Sequence, residues 1–155
     1  MSELTSQTRT GVEPAPLTRV ERAAHAMRNR LAPVLAARPA VTLFIAGAVS
    51  VLSMAPFHAW PVLFVTLPVL FWALEEAAER LAPRARLASG FWRGWAFGFG
   101  FHAAGLFWIG SAFLVQPERF ALIMPFAVAG LAAGLALFHG AAAAAAALLF
   151  TRAPA

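Results

Sequence analysis

The chain has no cysteine, no lysine, no aspartate and no tyrosine. Each absence removes chemistry. Without cysteine there is no disulfide, no thiolate metal ligand and no thiol nucleophile. Without lysine there is no amine to form a Schiff base. Charge is scarce altogether. Only 12% of the 155 residues are charged and 61% are hydrophobic, where a soluble domain carries about 25% charge. So few charges cannot cover a water-facing surface, which points to a membrane protein. All 12 cations are arginine and all 7 acids are glutamate, so the meaning of the basic balance depends on where the arginines sit.

Six of them (Arg9, Arg19, Arg22, Arg28, Arg30 and Arg38) fall within residues 1–38, a basic cytoplasmic arm. Ser2 to Pro16 mixes Ser, Thr, Gly and Pro and reads as disordered. From Thr18 to Ala32 a helical pattern appears, with Val20, Ala24, Met27 and Leu31 on one stripe and Arg22, His25 and Arg28 beside it. Pro33 is expected to interrupt it. A basic amphipathic helix before a membrane span suits an anionic membrane surface. The rival, a nucleic-acid arm, fits poorly with membrane-buried neighbours, and no nucleic-acid partner is expected. The basic region is too long for a signal peptide, and further apolar spans follow it.

Residues 39–152 read as an all-α, polytopic membrane helix bundle of about four transmembrane helices, at approximately 39–56, 60–76, 92–115 and 120–150. The first two are short. They are joined by a compact turn, Pro56-Phe57-His58-Ala59-Trp60-Pro61, and Pro68 is expected to kink or tilt the second. This hairpin either crosses or re-enters. The apolar part of the third span, Gly94 to Val115, covers roughly 33 Å as helix. Arg80, Arg84, Arg86 and Arg93 lie between spans two and three and Arg152 follows span four, whereas the opposite side carries only Arg119. The positive-inside rule therefore puts both termini in the cytoplasm of a multi-pass protein.

Gly90, Gly94 and Gly98 recur every four residues, and Gly130 and Gly134 offer a matching pair. Glycine lets helix backbones approach, so these mark helix packing between spans three and four. Of four histidines, His102 and His139 lie within spans, where ionisable groups are functional candidates, although a neutral histidine hydrogen-bonded across helices serves as well. Trp60, Trp92 and Trp95 suit interfacial belts, and Trp108 either packs or lines a groove. Glu75, Glu76 and Glu79 sit beside arginines and read as solvated charge. The pattern contains no nucleophile elbow, phosphate loop or metal signature, so no catalytic residue, cofactor or metal site is expected.

Two stretches are more specific: Met54-Ala-Pro-Phe-His-Ala-Trp-Pro-Val-Leu-Phe64, and Arg93 followed by Gly94-Trp-Ala-Phe-Gly-Phe-Gly-Phe-His-Ala-Ala-Gly-Leu-Phe-Trp-Ile109. With Pro117-Glu-Arg-Phe-Ala121 and Gly134-Leu-Ala-Leu-Phe138 they resemble, in order over about residues 40–150, the N-terminal membrane region of bacterial apolipoprotein N-acyltransferases. The resemblance implies the inner membrane, a phospholipid partner and an apolipoprotein substrate. That family moves an acyl chain from phospholipid to the amino group of an N-terminal diacylglyceryl-cysteine. It uses Glu, Lys and Cys of a periplasmic nitrilase-like domain, with a cysteine thioester. This sequence has no Cys or Lys and reaches Ala155 soon after span four, so none of those roles can be assigned to it. The expectation is a module inactive alone that helps wall a lipid or substrate groove, with Phe57, His58, Trp60, His102 and Trp108 as candidates. Rival readings are a non-catalytic four-span scaffold and a small oligomeric transporter around His102 and His139.

Overall fold

A computed structural model describes residues 18–107 and 122–149. The described residues form five α-helices and no strand. They are α1 (Arg19–Ala37), α2 (Pro39–Ser50), α3 (Leu63–Arg80), α4 (Pro83–Gly105) and α5 (Met124–Leu149). Short 3-10 turns, Val51–Ser53 and Trp60–Val62, flank the bend between α2 and α3. The all-α bundle expected from the sequence is the fold observed.

Local chemistry sets the helix starts. Thr18 caps α1 through a reciprocal box: the Glu21 N–H donates to its hydroxyl at 3.3 Å, and its own N–H donates to the Glu21 carboxylate at 2.7 Å. Pro39 and Pro83 stand in the first turns of α2 and α4, where a missing N–H leaves no bond unmade. Pro33 does not end α1, contrary to expectation. The helix runs on to Ala37, because a proline removes one backbone bond and the turns on either side keep theirs. Pro68 likewise lies inside an unbroken α3.

The helix that carries the third apolar segment starts earlier than that segment. α4 begins at Pro83, well before the hydrophobic run, because Arg84, Arg86 and Arg93 are good helix formers even though they are polar. It ends at Gly105, where the Leu106 N–H closes the last turn on the His102 carbonyl at 2.8 Å, and residues 108–115 of the expected span lie outside the described residues. Several expectations fall outside the described residues: the disorder of Ser2–Pro16, the position of Trp108, and the loop containing Arg119.

The bundle alternates in direction. Ser50 of α2 meets Thr66 of α3, while Leu43 shares a core cluster with Val69 and Ala73, so the two helices run antiparallel. Gly90, Gly94 and Gly98 of α4 face Ala147, Ala143 and His139 of α5 in turn, which is again antiparallel. The apolar cluster joins Leu35 of α1, Leu43 and Ala46 of α2, Val69 and Ala73 of α3, and Ala96 and Phe97 of α4.

Trp60–Arg80 and Met124–Leu149 are each long and apolar enough to cross a bilayer, and Pro39–Ser53 is apolar but shorter. Large apolar side chains point outward, with Phe64 70%, Phe126 75% and Phe138 75% exposed. In water such a surface would aggregate; against lipid tails it is the solvated state. The buried hydroxyls are satisfied within the bundle. Ser50 Oγ lies 2.8 Å from both the Ala46 carbonyl and the Thr66 hydroxyl, and Thr66 donates onward to the Val62 carbonyl at 3.3 Å.

Candidate functional site

The two ends of the bundle differ in chemistry. At one end, the last turns of α3 and the first half of α4 bring charges together. Arg80 and Arg93 lie 3.0 and 3.9 Å from the two carboxylate oxygens of Glu76, and Arg28 of α1 pairs with Glu75 at 3.3 Å. The Arg93 guanidinium also donates to the Ala73 carbonyl. Glu76 and Arg93 are only 21% and 18% exposed, so Glu76 is a half-buried tie between helices. The sequence reading of it as solvated charge is corrected, because helix pairing screens its carboxylate from water.

At the other end, the chain leaves α2 through a turn held by its own backbone. The His58 N–H donates to the Met54 carbonyl at 3.0 Å, and the Ala59 N–H to the Leu52 carbonyl at 2.9 Å. His58 adopts a left-handed φ of 50°, and its ring Nδ1–H donates to the Pro56 carbonyl at 3.1 Å. Phe57 and Trp60 are 69% and 63% exposed, and Trp60 meets Phe64 edge to face at 5.8 Å. These aromatics face outward.

Beneath the turn lies a cavity of about 350 Å³. Val51, Met54 and Ala55 form one wall, and Phe101, His102, Gly105 and Leu106 form the other. Of the expected groove residues, His102 lines it. Phe57, His58 and Trp60 belong to the turn above it without lining it. Val51, Met54 and Gly105 were not expected there. The signal available was the chain reversal at Pro56, which folds the end of α2 back toward α4.

Behind His102 stands His139. Their rings meet edge to face at 5.1 Å, and Phe101 lies 6.1 Å from His139. His139 Nδ1 is buried and has no hydrogen-bond partner among the described residues. The two span histidines are therefore brought together, although neither hydrogen-bonds the other. Gly98 makes the room: a Cβ there would stand 2.6 Å from His139 Cβ. No group of three His, Cys, Asp or Glu gathers as a metal site among the described residues.

The packing glycines divide. Gly90, Gly94 and Gly98 press against α5, and a Cβ at Gly94 would run into Ala143 and the His139 carbonyl. Gly130 and Gly134, expected to form the matching face, have nothing within 4 Å among the described residues. The face that α5 turns inward is Ala132, Ala136, Gly140, Ala143 and Ala147, about half a turn around the helix. A second close approach was not anticipated: a Cβ at Gly47 would strike the Phe97 carbonyl, and one at Gly100 the Phe44 carbonyl. α2 and α4 thus also meet backbone to backbone.

Apolar helices packed through small residues, with lipid-compatible side chains outside and charges collected at one end, define a helical membrane protein. Residues 46–155 match the family described as Apolipoprotein N-acyltransferase N-terminal domain, and the chain belongs to that family. It is similar to the apolipoprotein N-acyltransferase of Rhodopseudomonas palustris, 49% identical over 102 residues, which is 64% of this chain and 18% of the relative. The enzymes so named from Rhizobium rhizogenes and Brucella suis are 41% and 43% identical over 116 residues, covering 72% and 74% of this chain and 21% and 22% of theirs. The chain thus spans about a fifth of the length of these curated relatives. No solved structure matches it.

Proposed function

We propose that this chain is the N-terminal membrane module of a lipoprotein N-acyltransferase. In this reading it crosses a bacterial inner membrane four times, with both termini in the cytoplasm. The reaction it serves moves an acyl chain from a phospholipid to the amino group of an apolipoprotein's N-terminal diacylglyceryl-cysteine. These 155 residues contain neither thiol nor lysine amine. Their part is to anchor and to wall the route of the lipid, and alone they catalyse no transfer.

One observation carries this reading: the 350 Å³ cavity under the 54–62 turn, with mostly apolar walls and the His102 imidazole at its side. It lies at the end away from the Glu76–Arg93 charges, which is the outer end if those charges are cytoplasmic. A lipid tail already lies in an apolar medium, so a mostly apolar recess admits it from the bilayer without desolvation cost and without a specific contact.

The test has two parts. The purified chain is incubated with labelled phospholipid and a diacylated lipopeptide. No labelled product is expected, and transfer would refute the inactive-module reading. A phospholipid carrying a photoactivatable tail should then crosslink at Met54 and Phe101. Labelling confined to the outward faces of α3 and α5 would remove the cavity from the argument. A second reading, a scaffold that self-associates, draws on Gly130 and Gly134 facing open space between exposed Phe126 and Phe138. It requires Gly134→Leu to abolish crosslinked dimers.

A further inference from the structure

α1 lies before the residues that match the family, and its role does not follow from the acyltransferase reading. Its packing separates three faces. One face is occupied: Leu35 is buried in the core cluster, Leu31 packs against it, and Arg28 pairs with Glu75. The stripe seen in the sequence is therefore partly spent on α3 rather than on lipid.

The opposite face is basic. At about 100° per residue, Arg19, Arg22 and Arg30 fall within about 80° of one another and point away from Leu35. All three are exposed, and none has an ion-pair partner among the described residues. Between these two faces runs a third, made of Val20, Met27 and Val34 at seven-residue spacing. Val20 is 79% and Val34 54% exposed. The crevice between α1 and α3 does not compete for an anion, because Glu76 and Glu79 line it along with Arg28 and Arg80.

An apolar strip beside an unpaired arginine face, on a helix tethered to a membrane bundle by Leu35 and Arg28, matches an interface with negative headgroups on one side and acyl chains on the other. We propose that α1 binds the surface of an anionic phospholipid leaflet. Arg19, Arg22 and Arg30 contact the phosphates, and Val20, Met27 and Val34 enter the boundary of the acyl region. The proposal rests on the membrane character of the chain and is independent of the lipid-transfer reading.

The absence of cysteine makes the test direct. Val20→Cys in the full chain carries a single polarity-sensitive fluorophore. The protein is placed in nanodiscs of phosphatidylcholine with increasing phosphatidylglycerol. The emission should shift to the blue as phosphatidylglycerol rises, and most of the shift should vanish in high salt. Each arginine near a charged leaflet contributes about fivefold to partitioning, so R19Q/R22Q/R30Q should lose on the order of a hundredfold. The triple lysine variant should keep the response. Circular dichroism on each variant confirms that α1 is folded. Emission that is the same in both lipids, or a glutamine triple that responds like the parent, would overturn the proposal. So would a shift produced by an added RNA or DNA duplex in discs where phosphatidylglycerol has no effect.

Discussion

The two ends of α4 use the same residue type for opposite purposes. From Gly90 to Gly98 glycine removes every obstacle between two helix backbones, and α5 fills the space at once. At Gly105 the same absence of a side chain leaves room, since a Cβ there would rest 3.7 Å from Val51, an ordinary contact. The first end is a seam closed against α5, near the Glu76–Arg93 pair that ties α3 to α4, and the second opens on a cavity beside His102. What a glycine does in a membrane helix is decided by its neighbour. The spacing pattern alone does not decide it.

Substitutions along α4 can break or sharpen this contrast. Gly94→Leu forces a side chain into Ala143 and the His139 carbonyl. It should destabilise by about 3 kcal/mol or more, read as a large drop in thermal midpoint in detergent; a parent-like midpoint would contradict the backbone contact. Gly98→Ala displaces His139 and should cost about 2 kcal/mol, with a changed His139 ring resonance by NMR. Glu76→Gln leaves Arg93 half-buried without its anion. Partial exposure to water reduces the penalty to roughly 1–2 kcal/mol, measured by the same unfolding assay. Gly105→Ala should change stability by less than about 0.5 kcal/mol while reducing photolabelling at Met54, so stability and lipid occupancy separate at that end.

The smallest effect lies off α4, at the start of α1. The Thr18 backbone N–H, and after it the Thr18 hydroxyl, hold the Glu21 carboxyl below its ordinary range. A lowered carboxyl stabilises the fold above its unfolded value and loses that contribution as pH falls through the folded one. Amides in the first turn of α1 should therefore exchange faster only below about pH 4. Faster exchange on raising the pH, after correction for intrinsic rates, would contradict the cap.

Composition and hydropathy made the helical class legible, and the glycine spacing of α4 marked a face that does meet α5. Gly130 and Gly134 misled, because an alanine-rich helix has small residues on several faces and spacing cannot choose among them. The inward face of α5 is set by Gly140 under Phe91 and by His139 under Gly98, which are contacts between distant residues. Gly47 and Gly100 escaped notice for a related reason: Gly47 is the single glycine of α2 and Gly100 falls outside the four-residue spacing of α4, so their kinship exists only across the α2–α4 crossing. The helical start of α4 at Pro83 was hidden because apolarity tracks lipid, whereas helix formation continues through arginines. His102 was named as a groove candidate from the sequence, but its partners on the cavity wall, Val51, Met54 and Gly105, were not, because they come together only in three dimensions.

The seam between α4 and α5 is built largely from glycine and alanine. Those residues have no side-chain torsions to freeze, so closing the seam carries almost none of the up to about 2 kcal/mol of rotamer freedom that a long side chain surrenders on burial. The two helices meet through dispersion between these small residues, with one added bond from the Trp95 indole N–H to the Ala133 carbonyl at 3.1 Å. Heating will therefore free little side-chain motion there until the helices part, and softening should begin at the α2–α3 hairpin, where leucine, valine and phenylalanine side chains have rotamers to regain.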